Sequence, residues 1–312
     1  MKADSQVVNS VEELREFLKS HRNSQKEIGR VELRSQDSKL SYSPEDMTIK
    51  VMSGIRLDEL QSTVSAEGQW LPIDPCDDRI SIKHLLDENL YGPHRYGFGT
   101  IREHLIGMEI ILPDGRLVES GGNVVKNVAG YDLQKVFIGA RQSLGIIVSA
   151  TFKLLPKPAH RAFLKSGPLP LSEAAQLTEA VLETPVEPVV IDWAGESNNI
   201  NIVLGFAGPT DAVEWQLSQL DKAQWQRTNL KSHDAAYFGG AGEWHRRRSI
   251  LPSQLAEIIR DLDGKEFIAR AGNGIVWSPA FAPTKSQMGK SLIEQRLKIT
   301  FDPVGILPGI DR

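Results

Sequence analysis

The chain has 312 residues, more than one ordinary core holds and enough for two domains of roughly 150 residues each. A content of 40% hydrophobic and 24% charged residues predicts a soluble globular protein, and a net charge of −4 leaves no electrostatic footprint for nucleic acid or an anionic membrane. The single cysteine, Cys76, rules out an internal disulfide and cannot by itself make a zinc or iron–sulfur site.

In chain order, Met1–Val8 is polar, which predicts no signal peptide, and no run reaches the roughly 18 apolar residues of a membrane span. A cytoplasmic location is therefore expected. Ser10-Val11-Glu12-Glu13 has capping-box spacing, and Leu14, Phe17 and Leu18 give the helix behind it one apolar face. Thr48 to Met52 alternates like a strand and ends at Gly54. Leu57, Leu60 and Val64 then follow with helical spacing up to Gly68. Leu71-Pro72-Ile73-Asp74-Pro75 is a proline-fixed extended segment. Leu105 to Leu112, the turn Pro113-Asp114-Gly115 and Arg116 to Glu119 read as a hairpin. Gly145 to Leu155 reads as a strand stopped by Pro156 and Pro158, and the domain boundary is placed there.

Beyond the boundary, helices are predicted over Ser172–Leu182, Thr210–Leu220 and Ser253–Leu262. Strands are predicted over Pro188–Trp193, Ile200–Phe206 and Glu266–Ala271. That alternation predicts an α+β cap layered on a sheet.

The stretch from Gly92 to Gly145 concentrates glycine, which serves where backbone turns with positive φ or approaches a ligand closely. Within it, Asn123, Lys126, Asn127, Tyr131 and Asp132 interleave with small residues. Such a loop offers a point cation and amide donors to an anionic or carbonyl-bearing ligand. The plainer reading of Tyr131 and Asp132 is a hydrogen bond that braces a buried turn.

At Val125-Lys126-Asn127-Val128-Ala129-Gly130-Tyr131-Asp132-Leu133 the chain resembles the small FAD-binding subunits of bacterial glycolate oxidase, within the PCMH-type FAD-linked oxidases. Other segments match that family in order: Ser53 to Leu60, Leu71 to Pro75, Arg95 to Gly107 with Glu103 for the usual aspartate, Ser143 to Ile147, and Leu297 to Gly309.

The resemblance implies an α+β PCMH-type FAD-binding domain over residues 1–158, a reduced α+β cap over 159–295, and a tail over 296–312 that packs back on the first domain. It implies FAD as cofactor. Gly145 and Ile147 would approach the nucleotide by backbone. Lys126, Asn127, Tyr131 and Asp132 would lie beside the flavin or stiffen its loop, and Pro75 and Gly92 would flank the opening for its ring. It further implies a larger FAD-binding oxidase subunit and an iron–sulfur subunit as partners, through which the chain would be held peripherally at the inner membrane.

Two departures stand against that pattern. Family members carry a glycine-rich loop between the first helix and the Ser43-Pro44-Glu45-Asp46 segment, whose amides cradle the FAD pyrophosphate. Here the chain runs from Glu27-Ile28-Gly29-Arg30 to Pro44 without one. In addition, Lys83 and His84 stand where the family has paired glycines beside the flavin, and Asp87 and Glu88 bring negative charge near the phosphates. Two readings follow. In one, FAD is held by the Gly92–Gly145 half together with a partner; in the other, the chain is a scaffold that kept the fold and lost the cofactor. The retained second-half loop favours the first and the lost phosphate loop the second; FAD retention is the expectation carried forward.

Other groups carry less. None of the seven histidines stands in a metal-binding pattern. His94 and His104 are expected in packing or surface roles. Arg246-Arg247-Arg248 reads either as a carboxylate clamp or as a solvated face. Gly97-Phe98-Gly99 is not followed by the strand–turn–helix context of a Rossmann fingerprint.

Overall fold

The computed structural model describes residues 6–33, 40–122, 132–239, 246–282 and 292–309. The chain opens with β1 (Gln6–Val8), α1 (Val11–Ser24) and β2 (Val31–Leu33), β1 and β2 pairing in parallel. Ser10 Oγ accepts from the Glu13 amide at 3.0 Å, the first half of the expected capping box. The Glu13 carboxylate accepts from Asn9 N instead of Ser10 N, so the return bond falls one residue early.

Next come β3 (Ser41–Ser43), β4 (Thr48–Met52), α2 (Leu57–Ser65), β5 (Gln69–Trp70), α3 (Ile82–Asp87), α4 (Arg95–Phe98) and α5 (Ile101–His104). The hairpin β6 (Leu105–Ile111) and β7 (Leu117–Gly121), α6 (Gln134–Phe137), β8 (Ile146–Lys153) and β9 (Leu155–Pro156) complete the first domain. Its sheet has the order β3-β4-β8-β6-β7, antiparallel throughout. Along β8, Ile147, Ala150 and Phe152 face the core under α2 and α3. Ile146 and Val148 face a second core with Leu14, Leu18 and Val31. Neighbouring residues so divided put one apolar set on each side of the sheet.

The cap contains β10 (His160–Ser166), α7 (Leu171–Leu182), β11 (Val190–Glu196), β12 (Asn199–Gly208), α8 (Thr210–Ser218), β13 (Trp225–Arg227), α9 (Leu230–Phe238) and β14 (Arg247–Ser249). It continues with α10 (Leu255–Asp261), β15 (Phe267–Arg270) and β16 (Ile275–Trp277). A seven-stranded sheet has the order β13-β10-β12-β11-β15-β16-β14. Ile191, Trp193, Ile202, Leu204 and Phe267 pack with residues of α7, α8 and α10, while Val190, Val203 and Ala194 face the opposite side, where α9 lies. The predicted cap helices and strands lie within a few residues of these. Neither α9 nor the strands β10, β13, β14 and β16 was predicted. In α9 the apolar and polar residues follow no helical stripe, because His233 and Asp234 are themselves buried.

At two glycines the domains meet without room for a side chain. A Cβ on Gly97 would lie 2.5 Å from Val189 Cβ, and one on Gly272 would lie 2.3 Å from the Tyr96 ring. The helix α11 (Leu292–Phe301) returns to the first domain, with Phe301 against Phe137 at 5.2 Å between ring centroids. Lys298 Nζ donates to Asp302 Oδ2 at 2.7 Å and to the carbonyls of Ser143, Leu307 and Pro308. Asp302 accepts from the amides of Gly305, Ile306 and Leu307, which ties the segment after the helix into a knot.

A buried ionic cluster fixes α9 to the sheet. Arg270 donates to Asp234 through both terminal nitrogens, at 2.8 and 2.7 Å, and also to Asp192, with His233 beside them. Ligand atoms of Asp192, His233 and Asp234 lie within 4.8 Å of one another, a spacing a metal accepts, but the Arg270 guanidinium is the cation they hold. Burial pushes the Asp234 carboxyl up despite Arg270; burial alone would discharge Arg270, yet its two carboxylates outweigh that and raise it. Replacing Arg270 with Leu strands two buried carboxylates, and the expected loss is about 3–5 kcal/mol in urea unfolding. Adding Asp192→Asn and Asp234→Asn to that variant should restore part of the loss.

Candidate functional site

Two cavities, which share no lining residue, flank the middle of the first domain. The smaller, of about 360 Å³, is lined by Arg30, Val31–Leu33, Gly54, Ser81, Lys83, His84, Asp87 and Gln142. It lies between β2, the turn after β4, and α3. The approach is close, since a Cβ on Gly54 would stand 2.6 Å from the Leu33 carbonyl oxygen. Ser81 caps α3, accepting from His84 N at 3.1 Å.

A polar clasp crosses this cavity. Lys83, 7% exposed, donates to Asp87 Oδ2 at 2.7 Å, and Gln142 Nε2 donates to the same oxygen at 3.1 Å. Gln142 Oε1 in turn accepts from the backbone of Val31 at 2.9 Å. Alongside, Glu88 bridges Arg30 at 3.0 Å and Arg141 at 2.7 Å. Arg141 and Gln142 reach these partners from a left-handed turn, with φ of 50° and 66°, a conformation that side chains other than glycine adopt rarely.

The expected site residues fall as follows. Pro75 lines the larger cavity. Gly92 presses its bare backbone on the chain itself, for a Cβ there would lie 1.8 Å from the Asp74 carbonyl oxygen. Gly145 does the same against Ile110 and Phe137. The Ile147 side chain, 1% exposed, belongs to the core. Asp132 is exposed and pairs with Lys135 at 2.8 Å, a hydrogen bond that holds its carboxyl below the usual range. Lys126, Asn127 and Tyr131 lie outside the described residues. Arg30, Arg141 and Gln142, which build the clasp, belong to no motif that sequence reasoning recognised. The nearest signal was the missing glycine loop.

The larger cavity, of about 620 Å³, opens between the domains, with walls from α2, the Trp70–Cys76 segment, β10 and α9. His94, 3% exposed, hydrogen-bonds Asp74 through Nδ1, and its ring sits among Trp70, Phe98 and Phe163. Cys76 lies on this wall, exposed, with its thiol pushed up chiefly by desolvation. His104 is buried, donates through Nε2 to the Phe98 carbonyl at 2.9 Å, and is pushed down by burial. Arg247 donates to the Tyr91 hydroxyl at 2.7 Å, Arg246 to the Pro279 and Phe281 carbonyls, and Arg248 stacks on Phe281.

Comparison with known proteins sets this geometry in context. Residues 23–121 match the FAD-binding domain family FAD_binding_4. The chain is 25% identical to the glycolate oxidase subunit GlcE of Escherichia coli (strain K12), over 86% of this chain and 83% of that one. It is 31% identical to the glycolate oxidase subunit GlcD of Bacillus subtilis (strain 168), over 49% of this chain but only 33% of that one. Among solved structures, alkyldihydroxyacetonephosphate synthase superposes with a TM-score of 0.73 at 14% identity, covering 97% of this chain and 75% of that one, which shows a shared fold. Among the described residues, no helix is long and apolar enough to cross a membrane.

The smaller cavity fits a phosphate-bearing cofactor by the chemistry of its donors. Arg30, Lys83 and the neighbouring Arg141 set three cations beside the carboxylates Glu32, Asp87 and Glu88, so the formal charges balance and a diphosphate would be met by cationic hydrogen-bond donors, without an excess of positive charge. Gln142→Leu should strip a buried partner from both the Val31 amide and Asp87, costing about 1–3 kcal/mol of stability. Hydrogen exchange at the Val31 amide should accelerate. Residues 23–121 thus match an FAD-binding domain, and the chain as a whole shares the fold of alkyldihydroxyacetonephosphate synthase.

Proposed function

We propose that this chain is the FAD-binding subunit of a glycolate or related 2-hydroxy-acid oxidase complex, acting with a larger catalytic subunit. The observation that carries the reading is the co-linear match to GlcE over 83% of that subunit's length. When bound, FAD supplies the acceptor for a hydride from a hydroxyl-bearing carbon. This chain's own part is to hold and orient. Arg30 and Lys83 bind the phosphates, with Asp87 and Glu88 keeping the cations in place. The cap closes over the first domain through Tyr91, which accepts from Arg247 at 2.7 Å and stacks under Arg95 at 4.4 Å. Electrons would leave through an iron–sulfur partner, since one cysteine cannot hold a cluster. Attachment to such partners would place the chain at the cytoplasmic face of the inner membrane.

A second reading, a scaffold without cofactor, is favoured by the clasp, because Gln142 already bridges Val31 to Asp87 across the cavity. The visible absorbance of the chain, purified alone and with its co-expressed partners, separates the two. Flavin bands that fall by one equivalent per chain in Lys83→Glu are expected. Flavin content indifferent to Lys83→Glu, with a colourless isolated chain, would establish the scaffold instead.

A further inference from the structure

The smaller cavity holds an ion pair that its own helix does not favour. Lys83 and Asp87 stand one turn apart on α3, with the cation near the start and the carboxylate at the end. That order runs against the helix dipole and is the weaker of the two arrangements of an i,i+4 pair. Both side chains are buried, at 7% and 5% exposure, so each depends on the other for its charge. The reason for the pair lies in the cavity that both residues line.

Lys83 has more donors than Asp87 takes. An ammonium carries three N–H groups, and among the described residues Asp87 Oδ2 is the one acceptor bonded to Nζ, so two donors of a buried cation are left over. Arg30, on the same wall, bridges Glu88 through one terminal nitrogen. Around them the charges of Glu32, Asp87 and Glu88 cancel those of Arg30, Lys83 and Arg141. An entering anion therefore finds donors but no net attraction, and the carboxylate already on Lys83 repels it.

We propose that Asp87 is a built-in competitor of the cofactor's diphosphate for Lys83. It neutralises the buried ammonium while no phosphate is present, and it opposes the phosphate for that same ammonium when FAD binds. Asp87 thus sets an upper limit on cofactor affinity and keeps the flavin exchangeable. The inference rests on the function proposed above, in which Lys83 meets the phosphates of FAD.

FAD, and riboflavin as a probe with the same ring and no phosphate, are titrated into the full chain and followed by flavin fluorescence. Asp87→Asn keeps an oxygen for the Gln142 amide and removes the charge. It is expected to bind FAD about tenfold more tightly than the parent, and riboflavin no differently. Asp87→Ser should show the same gain, so either variant serves if the other does not fold. In Asp87→Asn/Lys83→Gln the gain should vanish, because the competition is over Lys83. Without flavin, the Tm of Asp87→Asn should fall, since a buried ammonium has lost its counterion. A merely structural Asp87 predicts a lower Tm together with weaker FAD binding. Unchanged or weaker FAD binding in both single variants, a gain that persists without Lys83, or an equal gain for riboflavin would each overturn the proposal. Parent and variants that all fail to bind FAD would overturn the function proposed above, and this inference with it.

Discussion

A single carboxylate oxygen, Asp87 Oδ2, organises the smaller cavity of the first domain. It accepts from Lys83 and from Gln142, and Gln142 passes the connection to the backbone of β2. Three chain segments far apart in sequence meet there: the start of β2, the end of α3 and the left-handed turn before β8. Burying a carboxylate is costly unless it is paired and hydrogen-bonded. Asp87 meets that condition with a cation and an amide, and so pins the N-terminal layer directly onto the sheet.

The same economy governs the cap. There Arg270 answers two buried carboxylates and holds α9 on the inner face of the sheet. The C-terminal segment repeats it on a smaller scale, with Lys298 and Asp302 gathering carbonyls and amides that would otherwise lack partners. In each place an ion pair orders backbone that hydrophobic contact alone would leave free to slide, because apolar burial has no direction. The two large apolar cores supply the bulk of the stabilisation, and the ionic knots set the register between layers.

Several of the glycines that stood out in the sequence serve packing. Gly92, Gly97 and Gly145 each bring backbone against another part of the chain at a distance that a Cβ forbids. A glycine required by a neighbouring segment and one required by a ligand look alike in sequence, since both signal close approach and nothing about what is approached. Lys83 gives the converse case. It occupies a position where the family resemblance expects glycine, and it brings charge to a cavity in place of space.

From the sequence alone came the strands and helices with strong local pattern, such as the hairpin of β6 and β7, the apolar run of β8 and the capped start of α1. The family resemblance and the absence of the glycine loop were also legible there, because motif order and turn chemistry are local properties. The tertiary structure alone decided that α9 is a helix with buried charges and that Gln142 reaches Val31 across 111 residues. It also decided that His94 and Trp70 border an interdomain cleft. Those outcomes rest on pairings between distant segments, and a linear pattern carries no record of which polar groups will find each other once the backbone has closed.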